Sequence, residues 1–172
     1  MLYQDECTFY RQPSQAWIWA WMGRTQPRVR YSHRANTRMR VVGYLNVSSG
    51  ALHTQDMQTV TAERLAKSVR GLSDLYPEAQ QIYLAWDNWP NHYHPKVQAA
   101  LAAQPRLKVL PLPTYSPWLN PIEKVWRRTR QRVTHAHPWC DDFPEFRRQI
   151  RGELQGLAQG SQEVLRYTGL GT

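Results

Sequence analysis

Hydrophobic and polar positions in the first half of the chain predict three strands followed by a helix. Residues 2–10 and 39–47 are rich in β-forming side chains, and residues 16–22 form an aromatic run closed by a glycine. Residues 59–75 carry apolar side chains at mostly helical spacing, and a Tyr-Pro pair ends that pattern. The three strands can form an antiparallel meander, which would make up one side of a sheet.

The second half alternates strands with helices. Two short apolar runs, residues 81–86 and 107–112, are typical of strands buried on both faces. Residues 94–103 and 121–133 are predicted helices, and residues 142–165 add one or two more. The predicted class is therefore α/β, with a mixed sheet and helices packed on its faces, and the 172 residues are expected to form a single domain, 1–172.

The charge composition predicts the class of binding partner. Lys and Arg number 22 against 13 Asp and Glu, so the net charge of +9 favours a polyanionic partner, most commonly nucleic acid. The alternative is that the basic balance only keeps the protein soluble. The hydrophobic fraction of 41% excludes a disordered chain.

Cysteine usage and the absence of long apolar segments predict a location. Cys7 and Cys140 form neither a CxxC metal pair nor a disulfide framework, which fits a reducing, cytoplasmic setting. The polar N-terminus and the lack of a long apolar stretch predict no visible export signal and no membrane span.

A proline-rich segment, residues 110–126, carries the strongest local signal. Its four prolines stiffen a connection that leads directly into a helix. Asn120 suits the N-cap and Pro121 the first helical position, which places Glu123 in the first turn with Arg127 and Arg130 on the same flank. A carboxylate followed by arginines along the same flank of a helix is typical of a site that binds a metal ion and phosphate. The alternative is a capping box, in which Glu123 only reaches back to the Asn120 amide.

Two aspartates are further candidates. Asp87 follows the strand at 81–86, where ligands gather beyond the carboxyl ends of strands, although an Asx turn or a helix cap would also explain it. Asp5 lies within the first strand and is expected to share a face with Tyr3 and Cys7. Glu6 should point to the opposite face, exposed and noncatalytic, unless a bulge exchanges the two acids.

The residues around these acids resemble a known family. The segments YLAWDNWPNH and LPTYSPWLNPIEKVW, with 35 residues between Asp87 and Glu123, resemble the signature of DDE-type transposases in the mariner-like superfamily, bacterial insertion-sequence branch. Further likeness lies at Asp5-Glu6 and VVGYLNVSSG and extends to about Val133. The resemblance implies an RNase H-like fold, a five-stranded mixed sheet with helices on both faces, and Asp5, Asp87 and Glu123 as catalytic metal ligands.

The resemblance also implies a reaction and its partners. It implies metal-dependent DNA cleavage and strand transfer with Mg²⁺, for which Mn²⁺ can substitute. Three carboxylates held together would repel one another without a cation. Two ions are expected, one to activate the attacking water or 3′-hydroxyl and one to stabilise the leaving oxygen. Expected partners are transposon ends and target DNA, with a homodimer left open and nucleoid association when DNA is bound. Expected DNA contacts are Arg127, Arg130, Lys124, Asn88 and His92, with arginines of the basic segment at 24, 28, 30, 34, 38 and 40.

The start of the chain departs from the family pattern. Full-length members carry helix-turn-helix modules before the catalytic domain, whereas Met1 stands four positions before Asp5, so we expect a truncated transposase, one half of a split reading frame, or a remnant. The competing functions are another RNase H-like nuclease, a catalytically inactive or domesticated DNA-binding remnant, and a metal-free carboxylate hydrolase acting on glycosides.

Overall fold

A five-stranded mixed sheet forms the centre of the molecule. The computed structural model describes residues 1–15, 17, 19–23, 28–32 and 35–171. The sheet order is β3-β2-β1-β4-β5, with β1 and β2, and β2 and β3, antiparallel, and with β4 parallel to both β1 and β5. The strands are β1 (Leu2–Tyr10), β2 (Arg38–Asn46), β3 (Leu52–Met57), β4 (Ile82–Trp86) and β5 (Leu107–Pro111).

Helices cover both faces of the sheet and bury a separate hydrophobic core on each. One face carries α1 (Ala62–Arg70), α2 (Leu72–Leu75) and α3 (Pro95–Ala102). The other carries α4 (Ile122–Thr129), α5 (Phe143–Gly156) and α6 (Gln162–Thr168). The mixed sheet and its two helical layers confirm the predicted α/β class.

Local sequence explains most helix boundaries. The side chains of Thr61, Asp142 and Ser161 cap α1, α5 and α6 by accepting backbone N–H bonds. The helix predicted over residues 59–75 breaks at Gly71 into α1 and α2. The helix predicted over residues 121–133 becomes α4, followed by a π-helical turn.

One predicted strand is wrong. The described residues of segment 16–22 form no strand, and Trp17, Trp19 and Trp21 are almost fully exposed. The third strand of the meander is instead β3, for which the sequence pattern predicted no strand. β2 pairs with the whole of β1 on one side, β4 pairs with Leu2 and Tyr3 on the other, and β3 extends the sheet from the second edge of β2. Within the described part of the chain, no helix is long and apolar enough to cross a membrane.

Candidate active site

Three acidic side chains from three elements line one cavity. Asp5 lies in the central strand β1, Asp87 directly follows β4, and Glu123 lies in the first turn of α4. All three line a cavity of about 300 Å³, the acid cavity, which also contacts the connection from β5 to α4. The parallel pairing of β1 with β4 brings Asp5 and Asp87 to neighbouring strands.

Asp5 is held by a tryptophan that needs a glycine beside it. The Trp126 indole N–H donates to Asp5 Oδ2 at 3.0 Å. Gly43 stands opposite Asp5 in β2, and a Cβ at Gly43 would lie 2.6 Å from Trp126 Cζ2 and closer still to Cη2. The missing side chain therefore makes room for the ring that orients the carboxylate.

The surroundings of Asp5 disfavour its charge when no cation is bound. Burial, then the neighbouring carboxylates of Glu123 and Glu6, raise the pKa of Asp5 to about 8, although the Trp126 hydrogen bond acts in the opposite direction. A bound cation would reverse this balance, because it stabilises the deprotonated carboxylate.

Asp87 forms an Asx turn and is also held by a buried histidine. The Trp89 N–H donates to Asp87 Oδ1 at 3.0 Å, and the His92 ring nitrogen Nδ1 lies 3.3 Å from that oxygen and 2.8 Å from the Asp87 backbone carbonyl. The His92 hydrogen bond, then that of the Trp89 N–H, lower the pKa of Asp87. The turn predicted as an alternative to catalysis therefore coexists with a place in the cavity.

His92 occupies a structural position rather than a DNA-facing one. Its ring is buried, stacks on Trp86 at 4.1 Å between centroids, and places Nε2 3.6 Å from Glu6. Burial opposes charging the ring, but Asp87 and Glu6 outweigh burial and raise the pKa of His92 to about 9. The expected DNA contact at His92 is wrong, because a buried ring cannot reach phosphate.

Glu6 is also placed differently from expectation. It lies on the face opposite Asp5, as predicted, but its side chain is only 19% exposed and accepts a hydrogen bond from Gln4 Nε2 at 2.8 Å. Glu6 is therefore mostly buried beside His92 and does not lie on the open surface.

Glu123 is presented by α4 without the predicted cap. The helix begins after Pro121 with no side-chain capping bond. Asn120 is buried and its Nδ2 donates to the Gln4 carbonyl of β1 at 3.0 Å. The capping box is thus not formed, and Asn120 instead fastens the start of α4 to the strand that carries Asp5.

A second, basic cavity adjoins the first. It measures about 460 Å³, is called here the basic groove, and shares Pro117, Asn120 and Glu123 with the acid cavity. Its remaining lining residues are Trp118, Lys124, Arg127 and Arg130. The predicted grouping of Glu123 with the α4 cations is therefore observed.

Two members of this groove already have protein partners. Lys124 Nζ donates to the Thr168 carbonyl at 2.9 Å, and Arg130 Nη2 donates to Cys7 Sγ at 3.1 Å. Arg127 is exposed. Each cation still lines the groove, so positive charge lies directly beside the acids.

The other expected DNA contacts are spread more widely. Asn88 is exposed, but its amide donates to the Leu112 carbonyl and Thr114 Oγ1 and accepts from the Tyr93 hydroxyl. It therefore fastens the β5–α4 connection to the end of β4. Of the basic segment, Arg28, Arg30 and Arg38 are exposed and Arg40 is half-buried, whereas Arg24 and Arg34 lie outside the described residues.

The described residues contain no closed metal cage. No group of three or more His, Cys, Asp and Glu side chains in that part of the chain is arranged to hold a metal ion. The acid cavity is thus a set of oxygen donors around a space open to solvent, with Asp87 more than half exposed.

The fold and the acid cavity define an RNase H-like domain with acids on β1, after β4 and on α4. The model of the DDE superfamily endonuclease family matches residues 1–146, and the chain belongs to that family. An IS630 insertion-element protein of 39 kDa from Shigella sonnei is 24% identical over 158 residues, covering 92% of this chain and 45% of its own length. The chain therefore spans less than half of that relative.

Solved structures of a transposase share the fold. The Mos1 strand transfer complex superimposes with a TM-score of 0.70 at 18% identity, over 98% of this chain and 50% of that one. The mariner Mos1 paired end complex with Mg gives a TM-score of 0.67 at 17% identity, over 98% and 53% of the two chains. These likenesses confirm the RNase H-like fold.

Replacing Trp126 by phenylalanine should shift the pH profile of any metal-dependent activity. The change removes the N–H that stabilises the Asp5 carboxylate, so the already raised pKa of Asp5 should rise further. Metal binding needs the deprotonated acid, and the rising limb of the profile should therefore move to higher pH. Trp139→Phe, a partly buried tryptophan of the same core, is the control. An unshifted limb in Trp126→Phe would contradict this role of the indole.

Proposed function

We propose that this chain is a transposase catalytic domain that cuts and joins DNA strands with divalent ions bound by Asp5, Asp87 and Glu123. The observation that carries the proposal is the shared acid cavity, in which these carboxylates come from β1, the end of β4 and the first turn of α4. Membership of an endonuclease family and the fold shared with Mos1 transposase support the same conclusion.

The donor chemistry of the acid cavity fits Mg²⁺. This ion prefers oxygen ligands, keeps several waters and is usually held by one or two carboxylates together with substrate phosphates. No three acidic side chains of the described residues already form a ligand set, so the proposal requires the carboxylates to draw together around the ion, with water and phosphate completing its coordination. The raised pKa of Asp5 points the same way, because neighbouring carboxylates cause part of the shift and a cation would relieve their repulsion.

The residues of the chain have separable tasks in this chemistry. Two bound ions, Mg²⁺ or in its place Mn²⁺, would activate an attacking water or 3′-hydroxyl and stabilise the leaving oxygen of an in-line displacement at phosphorus. Asp5, Asp87 and Glu123 supply the oxygen ligands. Trp126 and His92 orient Asp5 and Asp87, respectively, and Asn120 ties α4 to β1 so that Glu123 keeps its place.

The basic groove supplies the complementary charge for DNA. Arg127, Arg130 and Lys124 line the groove, which shares Glu123 with the acid cavity, so they could neutralise a phosphate next to the scissile one. The proposal also includes transposon ends and target DNA as partners, a cytoplasmic, nucleoid-bound location and the single domain 1–172, and it leaves a homodimer open. The acid cavity favours an enzyme over a DNA-binding remnant.

The direct test of this function is nicking or joining of DNA by the purified chain in Mg²⁺. We expect activity with Mg²⁺ or Mn²⁺ and none in excess EDTA. Equal activity in EDTA would rule out metal-dependent chemistry.

DNA affinity should fall steeply with salt and depend on the groove arginines. Each neutralised phosphate contributes a log-log slope of roughly −0.9 on duplex DNA, so Arg127→Ala plus Arg130→Ala should flatten the slope by about two units. The matched control is Arg148→Ala plus Arg151→Ala, whose guanidiniums already pair with Glu145 and Asp56. Salt titrations on two unrelated duplexes measure this. An unchanged slope in the groove variant, or strong preference for one duplex, would contradict backbone binding through the groove.

A further inference from the structure

The connection from β5 to α4 presents two large aromatic side chains to solvent. Tyr115 is 90% exposed and Trp118 is 73% exposed. We call residues 112–120 the arm. Its two ends are fastened to the sheet region, by the Asn88 amide at Leu112 and by the Asn120 amide at β1. The exposed rings therefore project from a segment whose ends are held in place.

The two rings line different cavities that share Glu123. Tyr115 lines the acid cavity, whereas Trp118 lines the basic groove, and Glu123 lines both. The site thus has one aromatic residue on the side of the acids and one on the side of the cations.

The backbone at Tyr115 is held in a costly conformation. Its φ of 59° lies in the left-handed region, which bulky residues rarely adopt. Such strain persists only where the surrounding structure enforces it, and it concentrates at sites that act on ligands. With this backbone geometry, the Tyr115 ring is exposed and lines the acid cavity.

The chemistry of the basic groove indicates which kind of ligand would contact the Trp118 ring. A purely apolar partner would leave the charges of Lys124, Arg127 and Arg130 without compensation. A nucleotide has both parts that the groove offers to bind: a flat π face for the indole and a phosphate for the cations. The groove volume of about 460 Å³ lies within the usual range for small-ligand sites, about 300–1,000 Å³.

We propose that Trp118 stacks on an unpaired base next to the scissile phosphate, with Tyr115 facing the nucleotide on the other side of Glu123. The substrate would then be DNA that is locally single-stranded at the cut, not an uninterrupted duplex. This proposal rests on the proposed function, because it names the form of DNA that the same site accepts. A base inside a duplex is covered on both faces by the stacked neighbouring pairs, so unpaired DNA gains more from the ring than duplex DNA does.

The test compares two DNA molecules that differ only in a short single-stranded overhang. The first is a blunt duplex, and the second is the same duplex with a short single-stranded overhang that carries 2-aminopurine. Affinity is measured by anisotropy in EDTA for wild type, Trp118→Ala, Trp118→Phe and the control Tyr83→Ala, an exposed aromatic of β4 outside both cavities. Nicking of both molecules in Mg²⁺ is measured in parallel.

The proposal predicts a loss confined to one variant and one DNA. Trp118→Ala should bind the overhang DNA about 5- to 100-fold more weakly and the blunt duplex almost unchanged, while Trp118→Phe keeps most of the affinity. The 2-aminopurine signal should be quenched by wild type and not by Trp118→Ala.

Two outcomes would overturn stacking by Trp118. One is an equal loss on both DNA molecules, and the other is unchanged affinity and unchanged quenching in Trp118→Ala. Either result leaves the proposed function standing if wild type still nicks DNA in Mg²⁺. Absence of Mg²⁺-dependent nicking by wild type on both molecules would instead reject the proposed function itself.

Discussion

Replacing Glu123 by glutamine should reduce Mg²⁺-dependent DNA cleavage by about a thousandfold or more. The substitution keeps the shape of the side chain but removes the charge with which α4 contributes to the acid cavity. Metal ions supply several kcal/mol of transition-state stabilisation, and each 1.36 kcal/mol corresponds to about a factor of ten in rate. Asp87→Asn should have an effect of the same order, since the carboxylate after β4 is lost.

Stability should not follow activity in these variants. Glu123 makes no capping bond, and its charge disfavours ionisation of Asp5. Without metal, the unfolding temperature of Glu123→Gln should therefore equal that of wild type or lie slightly above it. Glu163→Gln is the matched control. Glu163 lies on α6, pairs with Arg128 and does not line the acid cavity, so this variant should keep full activity. Cleavage by Glu123→Gln at the wild-type rate would contradict a metal-binding role.

The second large effect is expected at Gly43. An alanine there would place its Cβ in the space of the Trp126 ring, and such overpacking typically costs about 1–3 kcal/mol of unfolding free energy. The displaced indole would also withdraw its N–H from Asp5, so cleavage should weaken together with stability. Urea unfolding and nicking assays on the same preparation measure both effects.

Gly152 provides the control for this substitution. It lies within α5, and a Cβ there meets nothing within 4 Å, so Gly152→Ala should stabilise the protein by about 0.5–1 kcal/mol through helix propensity. A Gly43→Ala protein as stable as wild type, with an unshifted pH profile, would show that Trp126 does not depend on the missing side chain.

Whether a site residue can be predicted depends on the sequence immediately around it. Asp87 and Glu123 are visible in sequence because each follows an abrupt change, from a buried strand to polar residues or from prolines to a helix. The roles of Trp126 and His92 are not visible, since apolar periodicity marks the first only as a core residue and a histidine after a strand has many uses. Gly43 offers a weak signal, because glycine inside a strand often marks close approach by another group.

The error in the meander has a physical origin. Segment 16–22 has high β-propensity, but β3 is the strand that pairs with β2 and completes the meander, although only Leu52 and Met57 of β3 are buried. β-Propensity describes how well a side chain fits a half-buried sheet surface. An edge strand with polar side chains can still join the sheet through its backbone hydrogen bonds. Long-range pairing therefore decided which segment joined the sheet.

A crystal structure of the chain with Mn²⁺ and the overhang DNA would test the central claim most directly, because anomalous scattering locates the ion independently of any assay. We predict Mn²⁺ in the acid cavity, bound to carboxylate oxygens of Asp5, Asp87 and Glu123 at about 2.0–2.2 Å, close to the distances that Mg²⁺ requires. Ordered DNA in the basic groove with Mn²⁺ bound elsewhere, or with none in the acid cavity, would contradict the account.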